Sequence, residues 1–256
     1  LKNSAVNIIG DCILAAGMIA YSGAFTSVYR SRLEDLWRKK LDTEKIERNL
    51  KVSLRTVMED PIQSRIWNTN LLPNDNLSIE NGIIMFETKK WPLMIDPQNQ
   101  ASQFIKKYGQ FKRENSFQAI KITDGKMMDQ VITGLKFGFW VMLDNVGLTL
   151  DTSLEPILQQ QFTKKGNVCE IKIGDKPIPY NEQFKLLMVT TISNPHYSPE
   201  TFAKITIINF AITQEGLEDQ MLSELVKIEM PQLEESKNQI LEENYKSKQI
   251  LIKLRR

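Results

Sequence analysis

Apolar positions recur along the chain first at helical spacing, then in short continuous runs, and finally at wide intervals in a polar tail. From Ser4 to Tyr21, the apolar positions Val6, Ile9, Ile13, Leu14 and Met18 predict a helix stopped by Ser22-Gly23. Thr26 can cap a second, charged helix reaching about Asn49, with Tyr29, Leu33, Leu36 and Trp37 on its apolar side. Both helices have long apolar sides and are expected to pack on something outside this stretch of chain. Between Val52 and Asn76 a short helical piece breaks at Pro61 and closes in the turn Leu72-Pro73-Asn74-Asp75, the best candidate boundary.

Beyond that turn the pattern becomes β-rich. Gly82–Glu87, Trp91–Ile95, Phe117–Ile122, Phe139–Asp144, Val168–Ile173, Phe184–Thr191 and Thr206–Ile212 read as strands, with helices expected at Asn99–Tyr108, Gly125–Phe137 and Ser153–Gln161. Apolar strands alternating with helices predict an α/β fold, because parallel strands need crossovers and are buried on both faces. Val168–Pro179, with a turn at Gly174-Asp175, is expected to be a hairpin inserted on that sheet. From Gln214 the chain is helical and polar, interrupted by Pro231. Leu233, Ile240, Leu251 and Leu254 then stand far apart among charges, as in one helix of a coiled coil awaiting its partner or in a solvent-exposed helix. The division is thus residues 1–50, paired helices; 51–213, the α/β body; and 214–256, a terminal helix.

Composition narrows the function classes. A chain of 256 residues can bury about 70–75% of its unfolded surface, ample for a core. Lys+Arg 33 against Asp+Glu 31 leaves a net charge of +2, which argues against a dedicated nucleic-acid surface. Cys12 and Cys169 are far apart and form no metal motif, so a reducing compartment is expected and both are read as small core residues. The chain starts at Leu1 without a signal region and is read as an internal fragment. The apolar run Ile13–Tyr21 is too short to span a bilayer, and no membrane partner is expected.

Candidate chemistry gathers after Trp91–Ile95. A phosphate-cradling loop needs glycines so that successive N–H groups wrap the anion, a lysine for the outer phosphates and Ser or Thr for the metal. Here the turn reads Asp96-Pro97-Gln98-Asn99-Gln100-Ala101-Ser102-Gln103. Asp96 puts a negative charge at the first glycine, Pro97 deletes an N–H, Ala101-Ser102 replaces Gly-Lys, and Gln103 takes the metal-ligand place. Phosphate would be repelled. The plain alternative is a helix start with Asp96 as N-cap.

Phe139–Asp144 ends in Asp144-Asn145, like the acidic end of a Walker-B strand, but an amide at Asn145 is a poor base for activating water. Thr190 and Thr191, with Asn194 in the next loop, stand where a phosphate sensor would. His196 follows in that loop without a partner motif for zinc or a catalytic triad. No arginine falls between Arg113 and Arg255, so an arginine finger is not expected, and Lys204 is the nearest cation in a comparable stretch. Neither a catalytic residue nor a metal ligand is assigned.

The motifs LPNDNLSIENG (Leu72–Gly82), IDPQNQA (Ile95–Ala101), LDNVG (Leu143–Gly147), LDTSLEPIL (Leu150–Leu158), GDKPIPY (Gly174–Tyr180), NPHYSPE (Asn194–Glu200) and GLEDQ (Gly216–Gln220) resemble, in their joint spacing, the dynein heavy chain. They are most similar to its fifth AAA+ module. The resemblance implies a P-loop-like large subdomain whose first helix, with Gly10-Asp11-Cys12, ends the returning stalk, and whose Gln214–Arg256 helix starts the buttress, or strut, that grips the stalk. It implies an ATP-driven microtubule motor in which ATP and magnesium serve other modules while the fifth is generally nucleotide-free. Its partners would be neighbouring AAA+ modules, the stalk coiled coil and, through the parent, the microtubule. Asp144-Asn145-Val146-Gly147-Leu148 departs from the family's Glu-Asn-Val-Gly-Glu, and Ile192-Ser193 replaces a Lys-Leu-Pro-like stretch; both weaken acid chemistry. NPHYSPE and LDTSLEPIL are closer to axonemal than to cytoplasmic dyneins, which implies a cytoskeletal, ciliary location. The competing reading is a nucleotide-binding regulatory module in which Asp144 holds magnesium and the Asp96–Gln103 turn takes ADP.

Overall fold

The computed structural model describes residues 2–230 except Asn167, Asp175 and Thr213, together with Gln232, Ser236 and Ile240. The coiled-coil expectation for the tail beyond Pro231 and the turn residue Asp175 therefore lie outside the described residues. In chain order the elements are α1 (Lys2–Tyr21), α2 (Ser27–Thr43), α3 (Leu54–Met58), α4 (Pro61–Thr69), α5 (Asn76–Glu87), β1 (Trp91–Ile95), α6 (Gln100–Arg113), β2 (Phe117–Lys121), α7 (Met127–Phe137), β3 (Trp140–Asp144), α8 (Glu155–Leu158), β4 (Phe162–Lys165), β5 (Val168–Ile173), β6 (Lys176–Pro179), β7 (Lys185–Thr190), α9 (Pro199–Lys204), β8 (Ile205–Asn209) and α10 (Gln214–Glu229).

Five strands form one parallel sheet in the order β2-β3-β7-β1-β8, in registers such as Leu93↔Met188, Leu93↔Ile207 and Met142↔Leu187. Strand side chains alternate in direction, so neighbouring residues feed two cores. Leu93, Ile95, Val141, Leu143, Leu186 and Met188 pack with α7 and α8, whereas Met94, Met142, Leu187 and Val189 pack with α1, α5 and α6. This is why these strands read as continuous apolar runs rather than as an alternation: both faces are covered. The expected hairpin is present and longer than expected, since β4 joins β5 and β6 in an antiparallel three-stranded sheet whose Ile171 and Ile178 enter the first core. Among the described residues no helix is long and apolar enough to cross a membrane.

One predicted strand is a helix. Gly82–Glu87 is the second half of α5, which starts where the Asp75 carboxylate accepts the Ser78 N–H at 3.1 Å. The helix is buried from Leu77 to Met85, so the polar face that would reveal a 3.6-residue period is missing. Gly82 is needed there because a Cβ would press on the Trp67 ring.

The first two helices also depart from expectation. α2 ends at Thr43, where Lys45 turns left-handed (φ 56°); Arg30 and Leu41 are buried and Trp37 packs half-buried as expected, while Tyr29 and Leu36 are exposed. Thr26 is the cap residue but makes no side-chain cap bond. α1 buries Leu14, Ala15 and Met18 against the body of the fold and leaves Val6, Ile9 and Ile13 exposed. Cys12 is exposed rather than a core residue, and Cys169 is half-buried.

Arg30 is the hub of this corner. Its guanidinium donates to the carbonyls of Ser22 (3.1 Å), Gly23 (2.9 Å) and Phe25 (3.0 Å), to Asn81 Oδ1 (2.5 Å) and, at 3.4 Å, to Glu80. The Asn81 amide passes the link on to the Asn209 carbonyl of β8 at 2.8 Å. Nearby, burial pushes the Glu34 carboxyl up, against the pull of Arg38, and Glu80 adds to the rise. A carboxyl held up in the fold gives stability that is complete below the unfolded pKa, about 4.3, and is lost as pH rises through the folded value. Glu34→Gln should therefore match wild type near pH 4 and gain on it towards pH 7, measured by urea denaturation across that range.

Candidate functional site

The residues singled out from the sequence stand at the carboxyl edge of the parallel sheet, where α/β folds of this kind present their ligands. The Asp96 main chain is held by its N–H donating to the Thr190 carbonyl at 2.8 Å, which ties the end of β1 to the end of β7. Its side chain is fully buried, with Oδ1 accepting from the Gln100 N–H at 2.7 Å and Oδ2 from the Ser102 N–H at 2.8 Å. Those are first-turn donors of α6, the groups that hold a phosphate in a cradling loop. Here they hold the protein's own carboxylate.

The geometry refines the N-cap expectation. α6 starts at Gln100, and the cap position belongs to Asn99, left-handed at φ 59°, whose side chain makes no cap bond. Asp96 caps the helix from farther back, which the Pro97-Gln98-Asn99 turn permits by folding the Asn99 N–H onto the Asp96 carbonyl at 3.3 Å. Ala101 and Ser102 are buried, whereas Gln98, Asn99 and Gln103 are exposed. Burial pushes the Asp96 carboxyl up; the backbone donors at Ser102, Ala101 and Gln100 oppose that rise and Asp144 adds to it. Asp96→Asn keeps the volume but turns an NH₂ towards an N–H, leaving one buried donor unpaired. A loss of about 1–3 kcal/mol is expected in chemical denaturation.

Asp144 and Asn145 lie on the same edge at the end of β3. Asp144 Oδ2 is ion-paired with Lys106 Nζ of α6 at 2.9 Å, and Oδ1 accepts the Asn145 N–H at 3.0 Å. Asn145 is left-handed (φ 59°), and the Thr191 hydroxyl donates to its Oδ1 at 3.2 Å. The structure thus brings together Asp96, Asp144, Asn145 and Thr191, and leaves Asn194 and His196 exposed in the following loop. In that loop Tyr197 is the residue that packs, its hydroxyl donating to the Gly147 carbonyl at 3.1 Å.

Lys106 was missed by sequence reasoning. Its only signal is helical spacing: it lies a turn beyond Ser102, on the helix that follows the loop. Lys204 has its ammonium paired with Glu155 and with Glu200, the latter at 2.9 Å, so it is engaged within this chain. Among the described residues no group of three or more His, Cys, Asp or Glu comes together as a metal site.

A five-stranded parallel sheet covered by helices, with an acidic strand end and a helix-start loop at its carboxyl edge, defines an α/β fold of the nucleotide-binding class. The chain belongs to the family described as the ATP-binding dynein motor region, whose profile matches residues 65–256. It is 41% identical over 252 residues to dynein axonemal heavy chain 1 of Mus musculus, covering 98% of this chain and 6% of that protein. It is 40% identical over 235 residues to dynein axonemal heavy chain 6 of Homo sapiens (92% and 6%) and 38% identical over 245 residues to dynein axonemal heavy chain 3 of Mus musculus (96% and 6%). The chain spans 6% of the length of these relatives.

Proposed function

We propose that this chain is the fifth AAA+ module of an axonemal-type dynein heavy chain, a non-hydrolysing domain that relays conformational change between the ATPase ring and the stalk through the Gln214–Arg256 helix. The observation that carries the silent half of this reading is Asp96, whose carboxylate takes the donors a phosphate would need. A nucleotide's phosphates are a poor fit there, because they would add negative charge beside a buried carboxylate and find its N–H partners already used. The Lys106–Asp144 pair supports the same view, since it engages the carboxylate that would otherwise face magnesium. No cofactor is assigned to this module; ATP and magnesium would act in other modules of the motor.

The relay half is supported by the way α1 and α2 are tied to the sheet through Arg30, Gly23 and Asn209. In this reading α1 is the base of the stalk, α10 opens towards the buttress, the partners are neighbouring AAA+ modules, the stalk and, through the parent, the microtubule, and the location is the axoneme. Relay requires two discrete arrangements that both ends can bias. A cysteine crosslink fixing the Gln214–Glu229 helix to the stalk base in the whole motor should abolish microtubule stimulation of its ATPase. Stimulation unchanged by the crosslink would end the relay reading.

A further inference from the structure

Opposite the candidate site, at the amino-terminal edge of the sheet, three aromatic rings from three elements form one cluster. Phe86 at the end of α5 lies 5.3 Å from Tyr108 of α6 and 6.0 Å from Trp140 of β3, and Tyr108 lies 6.2 Å from Trp140. Three cations stand on these rings. Lys185 Nζ is 4.6 Å from the Phe86 centroid and 5.9 Å from that of Trp140, Arg113 Cζ is 5.5 Å from Trp140, and Lys112 Nζ is 5.6 Å from Tyr108. Trp140 and Lys185 are register partners on adjacent strands, so the sheet itself fixes part of the arrangement.

The hydrogen-bond partners of these cations are neutral. Lys185 donates to the Phe86 carbonyl (3.2 Å), Lys112 to the Tyr108 hydroxyl (3.1 Å) and Arg113 Nη1 to Gln183 Oε1 (3.1 Å). None of the three forms an ion pair with a described carboxylate, although this chain pairs other cations readily. Arg113 Nε is buried and has no acceptor among the described residues, on a group built for bidentate carboxylate recognition. Lys112 and Arg113 in the last turn of α6 are explained in part by the helix dipole, but that accounts neither for Lys185 from a different element nor for the buried Nε. Burial pulls Lys185 down to about 8; Lys112 pulls it lower and the exposed Glu87 pulls it back.

We propose that Lys112, Arg113 and Lys185 on the Phe86–Tyr108–Trp140 cluster form a docking site for an acidic protein segment that presents neighbouring Asp or Glu carboxylates. A carboxylate there meets the Arg113 guanidinium and the exposed Lys112 ammonium, and gives the three like charges the ion pairing that no described carboxylate makes with them. A protein source follows from length: the matched stretch is 6% of its relatives, so in them most of the polypeptide lies beyond it.

The test titrates hexaglutamate, and separately inorganic phosphate, into the chain at low salt, following the Lys185 side chain by NMR over pH. Saturable hexaglutamate binding that raises the Lys185 pKa by a unit or more is expected, weakened about tenfold or more by Arg113→Gln. Lys112→Gln alters an exposed side chain and keeps the test decisive if the arginine variant does not fold; it should weaken binding measurably. No saturable binding, binding undiminished by both substitutions, or an equal response to phosphate alone would overturn the proposal.

Discussion

Arg30→Ala is expected to remove about 3–5 kcal/mol of stability, because deleting one member of a buried charged network leaves its partners unpaired in a dry site. Arg30 is 2% exposed and donates to three main-chain carbonyls at the α1–α2 elbow and to Asn81, with Glu80 at 3.4 Å. Truncation would take a buried donor from each of these acceptors and leave Glu80, which burial already pushes up, without its nearest cation. Arg30→Lys should recover only part of the loss, since an ammonium cannot reach carbonyls on several sides as the planar guanidinium does. Equilibrium denaturation in guanidinium chloride measures both. A loss below about 1 kcal/mol for Arg30→Ala, the level of a surface pair, would show that the elbow is not held as described.

Gly23→Ala should be the second most damaging change of this corner. The Gly23 carbonyl accepts the Asn209 N–H of β8 at 2.8 Å and the Arg30 guanidinium at 2.9 Å, and an added Cβ would press directly on the Ile207 carbonyl oxygen. The obstacle is backbone of a sheet strand and not the tip of a flexible side chain, so the elbow must move away. An overpacking cost at the upper end of about 1–3 kcal/mol is expected. Because both substitutions disturb the same carbonyl, the double variant should lose less than the sum of the single losses. Together they test whether α1 and α2 are a fixed extension of the sheet, as a relay of movement requires.

The covered parallel sheet was legible in the sequence because its strands are short, apolar on both faces and separated by helical periods; Trp91–Ile95 and Val168–Ile173 have the predicted bounds. α5 was not, since a helix buried all round carries no polar face and its Gly-Ile-Ile-Met run imitates a buried strand. The elbow was illegible for a related reason: Arg30 looks like one more charge on a charged helix, and only long-range partners such as Asn81 and the Asn81–Asn209 bond reveal its burial. At the candidate site, residue types raise the expectation that Asp96 repels phosphate, while its occupation of the α6 donors is visible only in the fold, because it depends on the left-handed Asn99 folding the turn back. Lys106, likewise, is one lysine among many until Asp144 is placed beside it at 2.9 Å.

If the Asp96 carboxylate, and not a nucleotide, is the anion at the start of α6, the first-turn donors are closed to phosphate. Calorimetric titration of this chain with MgATP and with MgADP tests it most directly. No saturable heat is expected with either nucleotide up to millimolar concentration. Stoichiometric binding of either one with a Kd near 1 µM, worth about 8 kcal/mol, would contradict it.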